Sequence, residues 1–115
     1  MNGIGYIEIP SKNLYESIDF YTLVFGWECR KHDDNYAFFK TPSGDHGGFE
    51  PSSNPSSDSG VLLYIETDDI PVLLTSIEGN GGKVLKNKTE INEDMGFFAL
   101  FLDPHGNRFG LWSKE

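Results

Sequence analysis

A chain of 115 residues, 37% hydrophobic and 14% aromatic, can bury a core of its own without covalent staples. Nine Lys and Arg against eighteen Asp and Glu leave a net charge of −9, which repels phosphate backbones and anionic membranes and favours cationic ligands or metal ions. Cys29 is the single cysteine and forms no internal disulfide, the first residues lack a basic-then-apolar leader, and no apolar run nears the ~18 residues of a span. A cytoplasmic protein with no nucleic-acid partner and no membrane partner is expected.

In chain order, residues 4–9 alternate as a strand that Pro10 ends, with Tyr6 and Glu8 on one face and Ile7 and Ile9 on the other. Asn13 with Glu16 three residues on reads as a helix cap, Leu14, Ile18, Tyr21 and Phe25 recur at helical spacing, and Gly26 is a left-handed stop. Residues 27–31, 36–40 and 47–50 are short strands separated by turns at Asp33-Asp34-Asn35 and Pro42-Ser43-Gly44. Residues 51–60, rich in Pro, Ser and Gly, read as a polar linker.

The second half repeats the order. Residues 61–67 form a strand, and Asp68 or Asp69 caps a helix that tolerates Pro71 in its first turn. Ile70, Leu73, Leu74 and Ile77 make its buried stripe, and Gly81-Gly82 ends it. Residues 83–86 form a strand, followed by a polar loop to Gly96; residues 97–102 and 108–112 are strands on either side of an Asp103-Pro104-His105-Gly106 turn.

Tyr6-Ile7-Glu8 returns as Tyr64-Ile65-Glu66 at an offset of 58, Asn13 and Gly26 match Asp69 and Gly82 at 56, and Ala37, Phe39, Pro42, Gly44 and Gly48 match Ala99, Phe101, Pro104, Gly106 and Gly110 at 62. All three offsets are even, so strand alternation survives between the copies. The expected fold is α+β: one domain, 1–115, of two βαβββ modules in tandem, 1–50 and 61–115.

The segments Glu8-Ile9-Pro10, Ser17-Ile18-Asp19-Phe20-Tyr21, Val24-Phe25-Gly26-Trp27, Tyr64 to Ile70, Asn80-Gly81-Gly82 and Leu102 to Arg108 resemble the vicinal oxygen chelate superfamily, the group of glyoxalase I, bleomycin-resistance proteins and extradiol dioxygenases. The resemblance covers essentially the whole chain and lies mostly in turns, caps and core positions, which specify fold more than chemistry. It implies a divalent metal held on the first, fourth, fifth and last strands. Those positions fall on Tyr6, Gly48, Leu62 and Gly110, and register shifts of two bring in Glu8, His46 or Glu50, Tyr64 and Trp112. A divalent site needs about three or four convergent N or O ligands, so no metal and no cofactor is expected.

Glu8 and Glu66 are the catalytic candidates. Alternation points both away from the helix face, where a carboxylate can act as a base or counter a cation, or else bridge to Arg30 or Arg108 at the rim. Tyr6, Tyr64 and Trp112, with Phe98, share that parity and suit aromatic or cationic ligands. The same residues would serve a homodimer interface. His46 and Glu50 can line a pocket wall. His105 belongs to a structural turn, His32 is solvated, and Cys29 packs. The expected function is metal-free binding of a small organic molecule, aromatic or cationic, in a concave sheet pocket through Tyr6, Glu8, Tyr64, Glu66 and Trp112. The alternatives are a glyoxalase-like lyase, isomerase or dioxygenase with an atypical metal site, and a non-catalytic dimeric interaction module.

Overall fold

The computed structural model describes residues 2–55 and 60–115, in two compact units, Met1–Pro55 and Ser56–Glu115. The first unit runs β1 (Ile7–Ser11), α1 (Leu14–Phe25), β2 (Glu28–Asp33), β3 (Tyr36–Lys40) and β4 (His46–Pro51), with sheet order β1-β4-β3-β2. The second runs β5 (Tyr64–Glu66), α2 (Ile70–Gly79), β6 (Lys83–Asn92), β7 (Gly96–Leu102) and β8 (Arg108–Ser113), in the order β5-β8-β7-β6. In each unit the first strand lies parallel to the last and the other pairs are antiparallel. The α+β class and the two tandem βαβββ modules are therefore as the sequence implies. Of the expected linker, Pro51 closes β4, and residues 56–59 lie outside the described residues.

Local chemistry accounts for the helix ends. The Asn13 side chain accepts from the Glu16 N–H at 3.1 Å, and the Asp69 side chain accepts from the Val72 N–H at 3.2 Å, each satisfying a donor that the first helical turn leaves free. Gly26, at φ +69°, ends α1 in the left-handed region that a side chain disfavours. The buried face of α1 differs from the expected stripe: it is Leu14, Ser17, Phe20, Tyr21 and Val24, while Ile18 and Phe25 are only half-buried. Ser17 is drawn inward because its hydroxyl pairs with that of Ser11 on β1 at 2.6 Å, both buried. Beneath α1 lies an aromatic core in which Trp27 stacks on Tyr21 at 4.8 Å and on Phe39 at 4.6 Å. Within the second unit the core under α2 is Ile70, Leu74, Ile77, Ala99 and Leu111, beside stacked Phe101 and Phe109.

Three strand assignments change. β1 continues through Pro10 to Ser11, which an edge strand permits because it leaves one row of N–H groups unpaired; Ile4 is exposed and outside it. β5 is only three residues long. The expected loop after residue 86 is instead the rest of a ten-residue β6, whose pairing with β7 is irregular between Val84 and Lys86, Lys86 and Thr89, and Glu90 and Asn92. Bulges let a polar strand stay paired without strict alternation.

Register also redefines the repeat. β3–β4 pairs Phe38 with Gly48 and Ala37 with Phe49, and β7–β8 pairs Leu100 with Gly110 and Ala99 with Leu111, an offset of 62 throughout. On the first strands, however, Gly48 faces Glu8 whereas Gly110 faces Tyr64. The counterpart of Glu8 is thus Tyr64, at the helix offset of 56, and the Tyr-Ile-Glu recurrence is slipped by two residues. A slip of two keeps every side chain on its face, so alternation alone does not expose it.

Candidate functional site

The face of the first sheet turned away from α1 carries, strand by strand, Glu8, Gly48, Phe38 and Arg30 in one row. Gly48 leaves a gap in that row, and Tyr36, two residues before Phe38 on the same face, fills it. A Cβ at Gly48 would collide with the Tyr36 phenol. From this position the Tyr36 hydroxyl donates to Glu8 Oε2 at 2.9 Å. With that proton committed, the 2.8 Å contact between Tyr36 and Tyr6 is a bond in which Tyr6 donates. Burial first, then the bonds to Tyr6 and Glu8, pushes the Tyr36 phenol far above its ordinary range. Beyond Glu8 lies Glu50, whose carboxyl hydrogen-bonds to that of Glu8 and is raised above the ordinary 4.5 by that bond and by the repulsion between the two. Tyr6, Tyr36 and Glu8 form one hydrogen-bonded chain, with the Glu50 carboxyl beside Glu8. The bridge from Glu8 to Arg30 that alternation allows is replaced by the bond to Tyr36.

Beside this chain a groove of about 350 Å³ opens on the same face, lined chiefly by Tyr6, Glu28, Arg30, Phe38, Lys40 and His46. Phe38 is its aromatic floor. The Arg30 guanidinium lies 5.4 Å from the ring centroid, and His32 and Tyr36 meet the ring edge-on at 5.5 and 5.3 Å. Lys40 pairs across the strands with His46. Lys31 pairs with Asp34 at 3.2 Å, whereas neither Arg30 nor Lys40 has a described carboxylate within ion-pair reach. Cys29, at the groove wall, is half-buried, and burial raises its thiol above the ordinary range, which disfavours the nucleophilic thiolate.

On the second sheet Tyr64 lies over Gly110 as Tyr36 lies over Gly48, and a Cβ at Gly110 would strike its ring. Glu66 pairs with Trp112, and Trp112 with Phe98, so carboxylate, indole and phenyl follow one another across β5, β8 and β7. The Trp112 indole N–H is already committed, donating to the Met95 carbonyl at 2.7 Å at the β6–β7 turn. Its ring face and the exposed carboxylate of Glu66 remain. His105 is buried inside the β7–β8 turn. There the Asp103 side chain accepts from the N–H groups of His105 and Asn107, each at 2.9 Å, and from the Asn107 amide at 2.8 Å.

The family model of the Glyoxalase/Bleomycin resistance protein/Dioxygenase superfamily matches residues 3–111. The chain belongs to this superfamily. The anthracycline biosynthesis protein DnrV of Streptomyces peucetius is 27% identical over 128 residues, taking in 96% of this chain and 46% of that protein, so the chain spans about half the length of this curated relative. Among solved structures, a glyoxalase/bleomycin resistance protein/dioxygenase family enzyme from Burkholderia phytofirmans PsJN superposes with a TM-score of 0.81 at 19% identity, over 96% of this chain and 98% of that one. The fosfomycin resistance protein FosX of Listeria monocytogenes gives 0.82 at 16% identity, over 98% and 93%. These structures establish a shared fold, that of the vicinal oxygen chelate proteins.

The superfamily's metal-ligand positions do not fit a metal here. Gly48 and Gly110 offer no donor atom, and the space above each is taken by a tyrosine of the same sheet. Tyr6 is tied to Tyr36, and Leu62 has no ligating atom. Among the described residues no group of three or more His, Cys, Asp or Glu is placed to hold a metal ion. Sequence reasoning missed Tyr36, the hub of the hydrogen-bonded chain, and the groove residues Glu28, Phe38 and Lys40. The signal was present: Tyr36, Phe38 and Lys40 share one parity on β3, opposite to buried Ala37 and Phe39.

Proposed function

We propose that this chain binds a small organic molecule with an aromatic ring on the open face of a sheet, without a resident metal ion. The observation that carries this is the tyrosine over each glycine, Tyr36 on Gly48 and Tyr64 on Gly110, at positions that a metal ligand would otherwise hold. In its place the first sheet offers an aromatic-floored groove of about 350 Å³, within the size of small-ligand sites. The relative DnrV is an anthracycline biosynthesis protein, a role compatible with an organic ligand for this chain. On the second sheet, Glu66 beside Trp112 supplies the carboxylate and ring that suit a cationic ligand. Glu8 and Glu66 remain the candidates for base chemistry, Glu8 while accepting from the Tyr36 hydroxyl. We include the homodimer in this proposal.

A thermal-shift screen of small aromatic compounds against chelator-treated protein tests the reading. Stacking on a ring contributes roughly 0.5–2 kcal/mol, so Phe38→Ala should weaken a compound that binds the groove by about three- to thirtyfold. If no compound raises the melting temperature and Trp112→Ala instead yields monomers, the aromatic residues form an interface between copies and the pocket reading fails.

A further inference from the structure

We infer that the groove on the first sheet selects an aromatic molecule bearing an acidic oxygen group, a carboxylate or phenolate, held by Arg30 and Lys40 while its ring lies on Phe38. This rests on the reading that the groove is a ligand site, and it adds the charge of the ligand. In a chain of net charge −9, the groove is lined by Arg30, Lys40 and His46 against one carboxylate, Glu28. The two fixed cations have no described carboxylate within ion-pair reach, although acidic residues outnumber basic ones two to one. Glu28 itself pairs with Lys40 across the strands without forming an ion pair. Arg30 is held over the Phe38 ring by cation–π attraction, which leaves the edge of its planar fork free to take two oxygens of one carboxylate.

Tyr6 sharpens the selection. Its proton goes to Tyr36, so its oxygen presents lone pairs at the groove wall and would accept a hydroxyl donor from the ligand. The net charge of the whole molecule attracts cations, whereas the groove lining carries two fixed cations against one carboxylate. A neutral or cationic aromatic would leave Arg30 and Lys40 uncompensated beside its ring.

The test compares three probes of one shape, 2-naphthoate, 2-naphthamide and 2-naphthylmethylammonium, by isothermal titration and amide chemical-shift mapping on the full chain. 2-Naphthoate should bind about five- to tenfold more tightly than the amide, with the margin shrinking as salt rises. Arg30→Gln and Lys40→Gln should each abolish much of that margin, weakening 2-naphthoate by a larger factor than 2-naphthamide. Glu28→Gln should move it the other way and tighten 2-naphthoate. All three positions are at the surface, and circular dichroism verifies that each variant is folded. Equal affinity for acid and amide, or preference for the ammonium probe, overturns the inference while leaving the groove as a ligand site. If none of the three shifts groove amides at millimolar concentration, the ligand-site reading fails, and this inference fails with it.

Discussion

Tyr36 shows how much one side chain decides at the residue scale. Its ring fills the gap over Gly48, and its hydroxyl joins Tyr6 to Glu8. Tyr36→Phe keeps the ring and removes both bonds, so it should lower stability by about 0.5–1.5 kcal/mol, measured by urea unfolding. Glu50 carries a pH signature. Its proton is held to higher pH in the folded chain than in the unfolded one, because the neighbouring Glu8 carboxyl favours the protonated form and repels a second negative charge. The folded state therefore binds more protons in the window above the ordinary 4.5, and stability falls as pH rises through that window. Glu50→Gln should raise the melting temperature relative to wild type at neutral pH, with the difference vanishing on acidification below about pH 4. A difference that persists at low pH would mean that Glu50 acts through packing rather than charge.

At the scale of elements, glycine and turn chemistry determine where strands meet. Gly48→Ala and Gly110→Ala should each destabilise by about 1–3 kcal/mol, since the added methyl collides with Tyr36 or Tyr64. In Trp112→Phe the ring stays and the bond to the Met95 carbonyl is lost. Amide exchange at residues 92–96 should accelerate there while α2 stays protected, as seen by hydrogen-exchange mass spectrometry. Both helices and most of the turns are legible in the sequence because their signals are local: Asn13, Gly26, Asp69 and Gly106 act on residues within a few positions of themselves. What the sequence hides depends on partners distant in the chain. The reach of β6 follows its pairing with β7 as far as Asn92 and Gly96 and not its own alternation, and the amines of Lys88 and Lys86 lie over the Phe97 and Phe98 rings at 4.6 and 6.0 Å. The two-residue slip of Tyr-Ile-Glu, and the extension of β1 past Pro10, are set by pairing with β8 and β4. That Tyr6 and Glu8 share a face was legible through parity. Their link through Tyr36 was not, because only a glycine on a third strand makes room for it.

For the whole molecule, a net charge of −9 and a basic-lined groove act on different scales, the first on long-range encounter and the second on what is retained. Among the described residues no helix is long and apolar enough to cross a membrane. If two copies pair as proposed, sedimentation equilibrium at micromolar concentration should give about twice the 12.9 kDa chain mass. A species of chain mass that still binds ligand would separate assembly from recognition. Metal-independent recognition on a sheet face is tested most directly by calorimetry. A compound from the screen is titrated into chelator-treated protein, and again with manganese, nickel or zinc restored. Equal affinity and equal stoichiometry in both titrations is the predicted result. Binding that appears only with metal, and that is lost in Glu8→Gln or Glu50→Gln, would contradict it.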